Sequence, residues 1–192
     1  MSRVGDGALF ASFVLPKVAS RLPFLHDDAA VAAALGLGAG DIGFAGHRVE
    51  LWTGGVPYVL VPVADLAAAR RARLDERLWV ELSGPVEALS AAAFVYCRGG
   101  TLPESAFHAR MFAPHLGIAE DPATGSAVAA FAGAVVAHER PADGTVRFWI
   151  EQGVEIGRPS RIRLDTDVAG GVMTGGRIGG HAVKVAEGTL SA

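Results

Sequence analysis

Residues 120–139, EDPATGSAVAAFAGAVVAHE, set an acidic turn directly in front of a helix with almost nothing polar on it. From Ser126 to His138 the run Ala127, Val128, Ala129, Ala130, Phe131, Ala132, Ala134, Val135, Val136 and Ala137 leaves no polar face. A helix that is apolar all round must be buried all round. It is too short to cross a bilayer, so its place is inside a curved or closed sheet. Its many small side chains let strands approach closely.

The sequence on either side supplies such a sheet. "ALFASFVLP", "FAGHRVELWTG", "VPYVLVPV", "AAFVYCR" and "AFHARMFAP" read as strands before the helix. "TVRFWIEQG", "RIRLDTDV", "GVMTGGRIG" and "HAVKVAEG" read as four more after it. Asp27 and Asp28 cap a short helix stopped by Gly36, and "DLAAARRARLDERLWVEL" predicts one helix running towards Gly84-Pro85. Strand signals outnumber helices and are joined mostly by short turns, which predicts an α+β fold over a doubly wound sheet.

Composition narrows the function classes. The chain has 192 residues, 51% of them hydrophobic and 19% charged, the profile of a folded protein. Twenty acids stand against 17 bases, and the bases are scattered, so no nucleic-acid partner is expected. Cys97 is the single cysteine, which excludes an internal disulfide and any two-thiol mechanism within one chain. With no apolar run of membrane-spanning length and no secretory h-region, a soluble cytoplasmic protein is expected.

The corner at 121–126 has two accounts that use the same atoms. In the structural one, Asp-Pro opens a turn, Thr124 caps the helix and Gly125 permits tight backbone. In the functional one, the first amides of the helix lack intrahelical partners and carry partial positive charge. A substrate carboxylate would sit on the amides of Gly125 and Ser126, with the Ser126 hydroxyl as a further donor. Asp121 would then lie beside the anion and move a proton at the adjoining carbon. Other motifs fail on context. GAGDIG, residues 38–43, formally matches a dinucleotide fingerprint but follows a helix and leads into a strand. No P-loop or G-x-S-x-G is present, and His108 and His115 show no metal-ligand spacing. No metal site is expected.

RMFAPHLGIAEDPATGSAVAAFAGAVV, IEQGVEIGRPSRI and IGGHAVKVAEGTL together resemble the phenazine-biosynthesis isomerase (PhzF-like) family. The order R-x-F-x-P, E-D-x-A-T-G-S, Q-G, G-R-P-S between Arg110 and Ser160 is the most specific part. The resemblance implies a diaminopimelate-epimerase-like fold, with a barrel of mixed strands around a central apolar helix. It implies an isomerase or epimerase without metal or organic cofactor. Asp121 would be its acid/base in the place where the epimerases carry a thiol. The loop Thr124, Gly125 and Ser126 would bind the substrate, a small carboxylic acid, and Arg158 would be structural.

The resemblance also implies that the chain begins late in the family's first domain. Residues 1–22 and 182–192 would be remnant strands of that domain and 23–181 a complete second domain. The family's principal glutamate and its Gly-His pair find no counterpart here. Three roles follow as expectations: a homodimeric isomerase, one half of an enzyme completed by a separate amino-terminal-half chain, or a non-catalytic subunit for binding or dimerisation. For the chain alone, no deuterium incorporation into trial acids is expected.

Overall fold

The computed structural model describes residues 2–3, 9–86, 89–183 and 186–189. Strands β1 (Ser2–Arg3), β2 (Leu9–Val14) and β3 (Ser20–Leu22) precede helix α1 (Asp28–Ala34). Next come β4 (Glu50–Thr53), β5 (Pro57–Pro62), α2 (Leu66–Arg71) and α3 (Glu76–Ser83), then a small hairpin of β6 (Pro85–Val86) and β7 (Leu89–Ser90). Strands β8 (Ala92–Arg98), β9 (Phe107–Ala113) and β10 (Ile118–Asp121) lead into α4 (Gly125–Glu139). Strands β11 (Gly144–Gln152), β12 (Ser160–Ala169) and β13 (Val172–Ala182) follow it.

All strands but the hairpin join one sheet in the order β1-β2-β13-β12-β11-β9-β8-β5-β4-β3, with β10 attached to β9. The pairs β5–β8 and β9–β11 are parallel and the others antiparallel, so the sheet is mixed. Both flanks of the sheet reach α4: β12 and β13 from one side, β3, β4 and β5 from the other. The sheet therefore curls around the helix, and the fold is α+β.

The apolar composition of α4 has its physical reason in this wrapping. Residues from Ala127 to Val136 are buried against the inward side chains of the strands, including Trp52, Leu60, Phe94, Phe107, Ile150 and Leu164. Ala137 is exposed, so the buried run ends one residue short of the apolar sequence. Small residues set how closely sheet and helix approach. A Cβ on Gly133 would lie 2.4 Å from Cζ3 of Trp52, and one on Gly54 would lie 3.0 Å from the Ala129 carbonyl carbon. The outward side chains of the strands, Val59, Val61, Val95 and Phe112 among them, pack under α1, α2 and α3 in a second core. Strands β5 and β8 are thus covered on both faces, which is why "VPYVLVPV" reads as continuously apolar.

Two sequence expectations are corrected. The single helix expected over 65–82 is two helices. The amide of Arg73 bonds Leu35 O and that of Asp75 bonds Ala34 O, both 2.8 Å, while Asp75 Oδ1 caps α3 through Leu78 N. Tertiary hydrogen bonds to the end of α1 thus outcompete the helical ladder between Ala72 and Asp75. The two strands expected in "GVMTGGRIG" and "HAVKVAEG" are one strand as far as Ala182, paired with β12 and then β2. Residues expected as first-domain remnants share this sheet, since β2 pairs with β13 from Leu9 to Val14. Residues 1, 4–8, 184–185 and 190–192 of those segments lie outside the described residues.

Candidate active site at the amino-terminal end of the central helix

Strand β10 delivers Asp121 to the mouth of the barrel, opposite Met111 of β9. Arg110 and Glu120 hold β10 there. Arg110 donates through Nε and Nη2 to the two oxygens of Glu120, at 2.9 and 2.7 Å, and through Nη1 to the carbonyls of Ala69 and Ala72. The arginine of R-x-F-x-P and the glutamate of E-D therefore form a buried two-pronged pair, a geometry that fixes orientation as well as charge.

Gln152, at the end of β11, locks the loop between Asp121 and α4. Its side chain is fully buried; Nε2 donates to Asp121 O at 2.6 Å and to Thr124 Oγ1 at 2.9 Å, and Oε1 accepts from Thr124 N at 3.2 Å. Thr124 Oγ1 in turn donates to Asp121 Oδ2 at 2.5 Å. Gly153 completes the lock. Its φ is +79°, and a Cβ there would lie 2.4 Å from Arg158 O and 2.8 Å from Pro122 O. The Q-G pair is thus one clamp and one close backbone approach. Arg158 takes part through its backbone, its amide bonding Gly153 O at 2.9 Å.

Behind this clamp lies His108, fully buried between two carboxylates. It donates through Nδ1 to Glu151 at 2.6 Å, and Nε2 stands 3.1 Å from Glu155 at ion-pair distance without hydrogen-bond alignment. Burial pushes the His108 imidazole down, but Glu155 and Glu151 outweigh it and hold the group above its ordinary value. Burial also pushes Glu151 up; the amides of Thr101 and Leu102, with His108, overcome that and keep it below the usual carboxylate range. This charge cluster anchors the β11 end that carries Gln152.

The helix end itself differs from the sequence expectation. Thr124 occupies the N-cap position, but its side chain makes no capping hydrogen bond. Its hydroxyl is committed to Asp121 and Gln152, and the residue is buried. The first-turn amides are left without a side-chain cap. Gly125 is half-buried and Ser126 exposed, and the Ser126 hydroxyl lies 2.7 Å from the hydroxyl of Tyr58 on β5. Burial pushes the Tyr58 phenol up and the nearby Asp121 charge adds to this, against the opposing Ser126 hydrogen bond. In front of Gly125 opens a cleft of about 570 Å³, walled by Ala123, Phe13, Ile162 and Ile178 and edged by Ser12 and His181.

The structure therefore brings Asp121, Thr124, Gly125 and Ser126 into one loop. Sequence reasoning missed Tyr58 and the role of Gln152. A lone hydroxyl inside "VPYVLVPV" and an amide beside Gly153 were the available signals. Among the described residues no group of three or more His, Cys, Asp or Glu side chains is placed to hold a metal ion, and no helix is long and apolar enough to cross a membrane.

A family model described as phenazine biosynthesis-like protein matches residues 3–188. The chain is 54% identical over 186 residues to an uncharacterized isomerase of Mesorhizobium japonicum, covering 96% of this chain and 62% of that protein. It is 31% identical over 140 residues to trans-2,3-dihydro-3-hydroxyanthranilate isomerase of Pseudomonas aeruginosa, covering 73% and 46%. A phenazine biosynthesis protein of the PhzF family from Bacillus anthracis shares the fold, with a TM-score of 0.81 at 21% identity over 95% of this chain and 62% of that one. A predicted epimerase from Pseudomonas aeruginosa gives 0.65 at 31% identity, over 96% and 61%. The chain spans less than two thirds of the length of each of these relatives.

Proposed function

The chain belongs to the phenazine biosynthesis-like protein family, and from that premise we propose that it serves an isomerase reaction on a small carboxylic acid. The amino-terminal end of α4 holds the acid's carboxylate on the amides of Gly125 and Ser126, and Asp121 takes or returns a proton at the neighbouring carbon. The observation that carries this reading is the shared loop. One turn, locked by Gln152, carries a carboxylate three residues before an uncapped helix end, and Ala123 and Gly125 of that turn line the cleft. Helix-end amides and the helix dipole favour an anion there, and a side chain held beside the reacting carbon is what general acid–base catalysis requires.

Thr124 serves by holding Asp121 rather than by touching the acid. The cleft volume and its apolar wall suit a ring-sized ligand. The Pseudomonas aeruginosa isomerase is named for such a compound, a cyclic carboxylic acid. A proton transfer written this way calls for no metal or organic cofactor. The division into residues 23–181 and flanking strands, a cytoplasmic location, and action as a homodimer or with a separate amino-terminal-half chain belong to the same proposal. The exposed side chains of Phe13 and Val14 on β2 support the association.

Calorimetric titration with anthranilate, and with aniline as the same ring without the carboxylate, tests the reading. Anthranilate is expected to bind and aniline to bind at least tenfold more weakly; equal affinity for the two would overturn it. Asp121→Asn is expected to bind anthranilate as tightly as the wild type or more tightly, because a like charge is removed. Any exchange of solvent deuterium that the protein catalyses on a carboxylic acid should disappear in the same variant. Exchange that survives would remove Asp121 from the proton step.

A further inference from the structure

We infer that Tyr58 is a positioning residue of this site: its phenol donates to Ser126 Oγ and so turns the Ser126 proton outward, toward a bound carboxylate. The inference rests on the reading that Gly125 and Ser126 hold that carboxylate.

A serine hydroxyl at a helix end has one proton and three staggered directions for it. Left alone it divides its time between solvent, ligand and backbone. Tyr58 removes that freedom. The phenol stands on the inner face of β5, 4% exposed, within the apolar cluster that surrounds α4. Among the described residues its hydrogen-bond partner is Ser126 Oγ, at 2.7 Å.

If Ser126 donated instead, the phenol proton would have no acceptor within hydrogen-bond distance among the described residues, and a buried donor without a partner is costly. The direction Tyr58 to Ser126 satisfies the buried group and leaves the proton of exposed Ser126 free to turn outward. The Asp121 charge close to the phenol favours its protonated form, the form that donates. The chain Tyr58–Ser126–carboxylate then runs donor to acceptor throughout, an order in which each bond strengthens the next. Tyr58 touches neither the acid nor the reacting carbon, and acts only through Ser126.

The test is a double-mutant cycle on anthranilate affinity with wild type, Tyr58→Phe, Ser126→Ala and the double variant, with melting temperatures recorded for all four. Phenylalanine keeps the ring and removes only the hydroxyl. Tyr58→Phe and Ser126→Ala are each expected to weaken binding by about three- to tenfold. The double variant should bind as Ser126→Ala does, because without the serine hydroxyl the phenol has nothing to orient. Aniline affinity should not change. Equal losses from Tyr58→Phe with and without Ser126 would overturn the inference, since the phenol would then act through packing. An effect of Ser126→Ala with none from Tyr58→Phe would overturn it too, while leaving the carboxylate site standing. No effect of Ser126→Ala would sink both the inference and the reading beneath it.

Discussion

The two ends of α4 are both polar, yet they spend their polar groups in opposite ways. At the carboxy-terminal end the carboxylates of Glu50 and Glu139 are partnered from within. Glu139 accepts from Arg98 and, at 2.7 Å, from His47 Nε2, while His47 Nδ1 accepts from Tyr96 at 2.9 Å. Glu50 accepts from Arg21 and Arg48 at 3.0 Å, from Trp52 at 2.8 Å and from His138 at 3.1 Å. A cleft of about 680 Å³ opens here as well, lined by Arg21, Arg48, Glu50 and His138. Its size is similar to that of the cleft at the other end, but Arg21, Arg48, Glu50 and His138 are tied to one another there, and Arg140 adds a further cation at its edge. At the amino-terminal end, Thr124 is diverted to Asp121, and the first-turn amides are left without a side-chain cap. Clefts alone do not tell the two ends apart. The uncapped backbone amides of the first turn do.

Breaking the lock at the open end should produce the largest effect. Gly153→Ala places a methyl group against two carbonyl oxygens at a positive φ, and both faults lie in backbone that has nowhere to go. A stability loss of about 3–5 kcal/mol is expected from strain and overpacking together. Chemical denaturation measures it, and anthranilate binding should fall with it because the Asp121 loop loses its register. A variant of native stability and affinity would show that the Gln152–Gly153 clamp does not set the site.

The closed end should give a smaller effect of a different kind. Glu50→Gln removes a buried charge from four donors and is expected to cost about 1–3 kcal/mol, with anthranilate affinity unchanged. Its pH dependence sharpens the contrast. Burial pushes Glu50 up, but His138, Trp52 and Arg21 outweigh it and bring it down from 4.5 to about 2. A carboxylate depressed in this way stabilises the fold fully above 4.5, and the contribution fades as pH falls from there toward 2. Denaturant midpoints between those values should drop less steeply with acid in Glu50→Gln than in the wild type. Parallel slopes would remove Glu50 from the acid sensitivity.

Much of the fold was legible because it follows from composition. The residues of α4 could only be buried, and the flanking strands could only curl to bury them. The 121–126 loop stood out in the sequence, but its wiring did not. Thr124 looks like a cap in sequence, and only the neighbouring Gln152 and Asp121 explain why it is not one. Tyr58 hides inside an apolar strand, and its partner Ser126 lies 68 positions further along the chain. The break between α2 and α3 was hidden for the same reason. Its cause is a pair of carbonyls on α1, remote from the segment whose helical composition they override.

The most direct test of the account is a ¹H–¹⁵N titration of the protein with anthranilate, following the amides of both ends of α4 at once. The account predicts that the Gly125 and Ser126 resonances move with saturating dependence on anthranilate, while those of Glu139 and Arg140 stay in place. Movement at Glu139 and Arg140 with Gly125 and Ser126 unchanged would contradict it, and would transfer the ligand to the carboxy-terminal end of the helix.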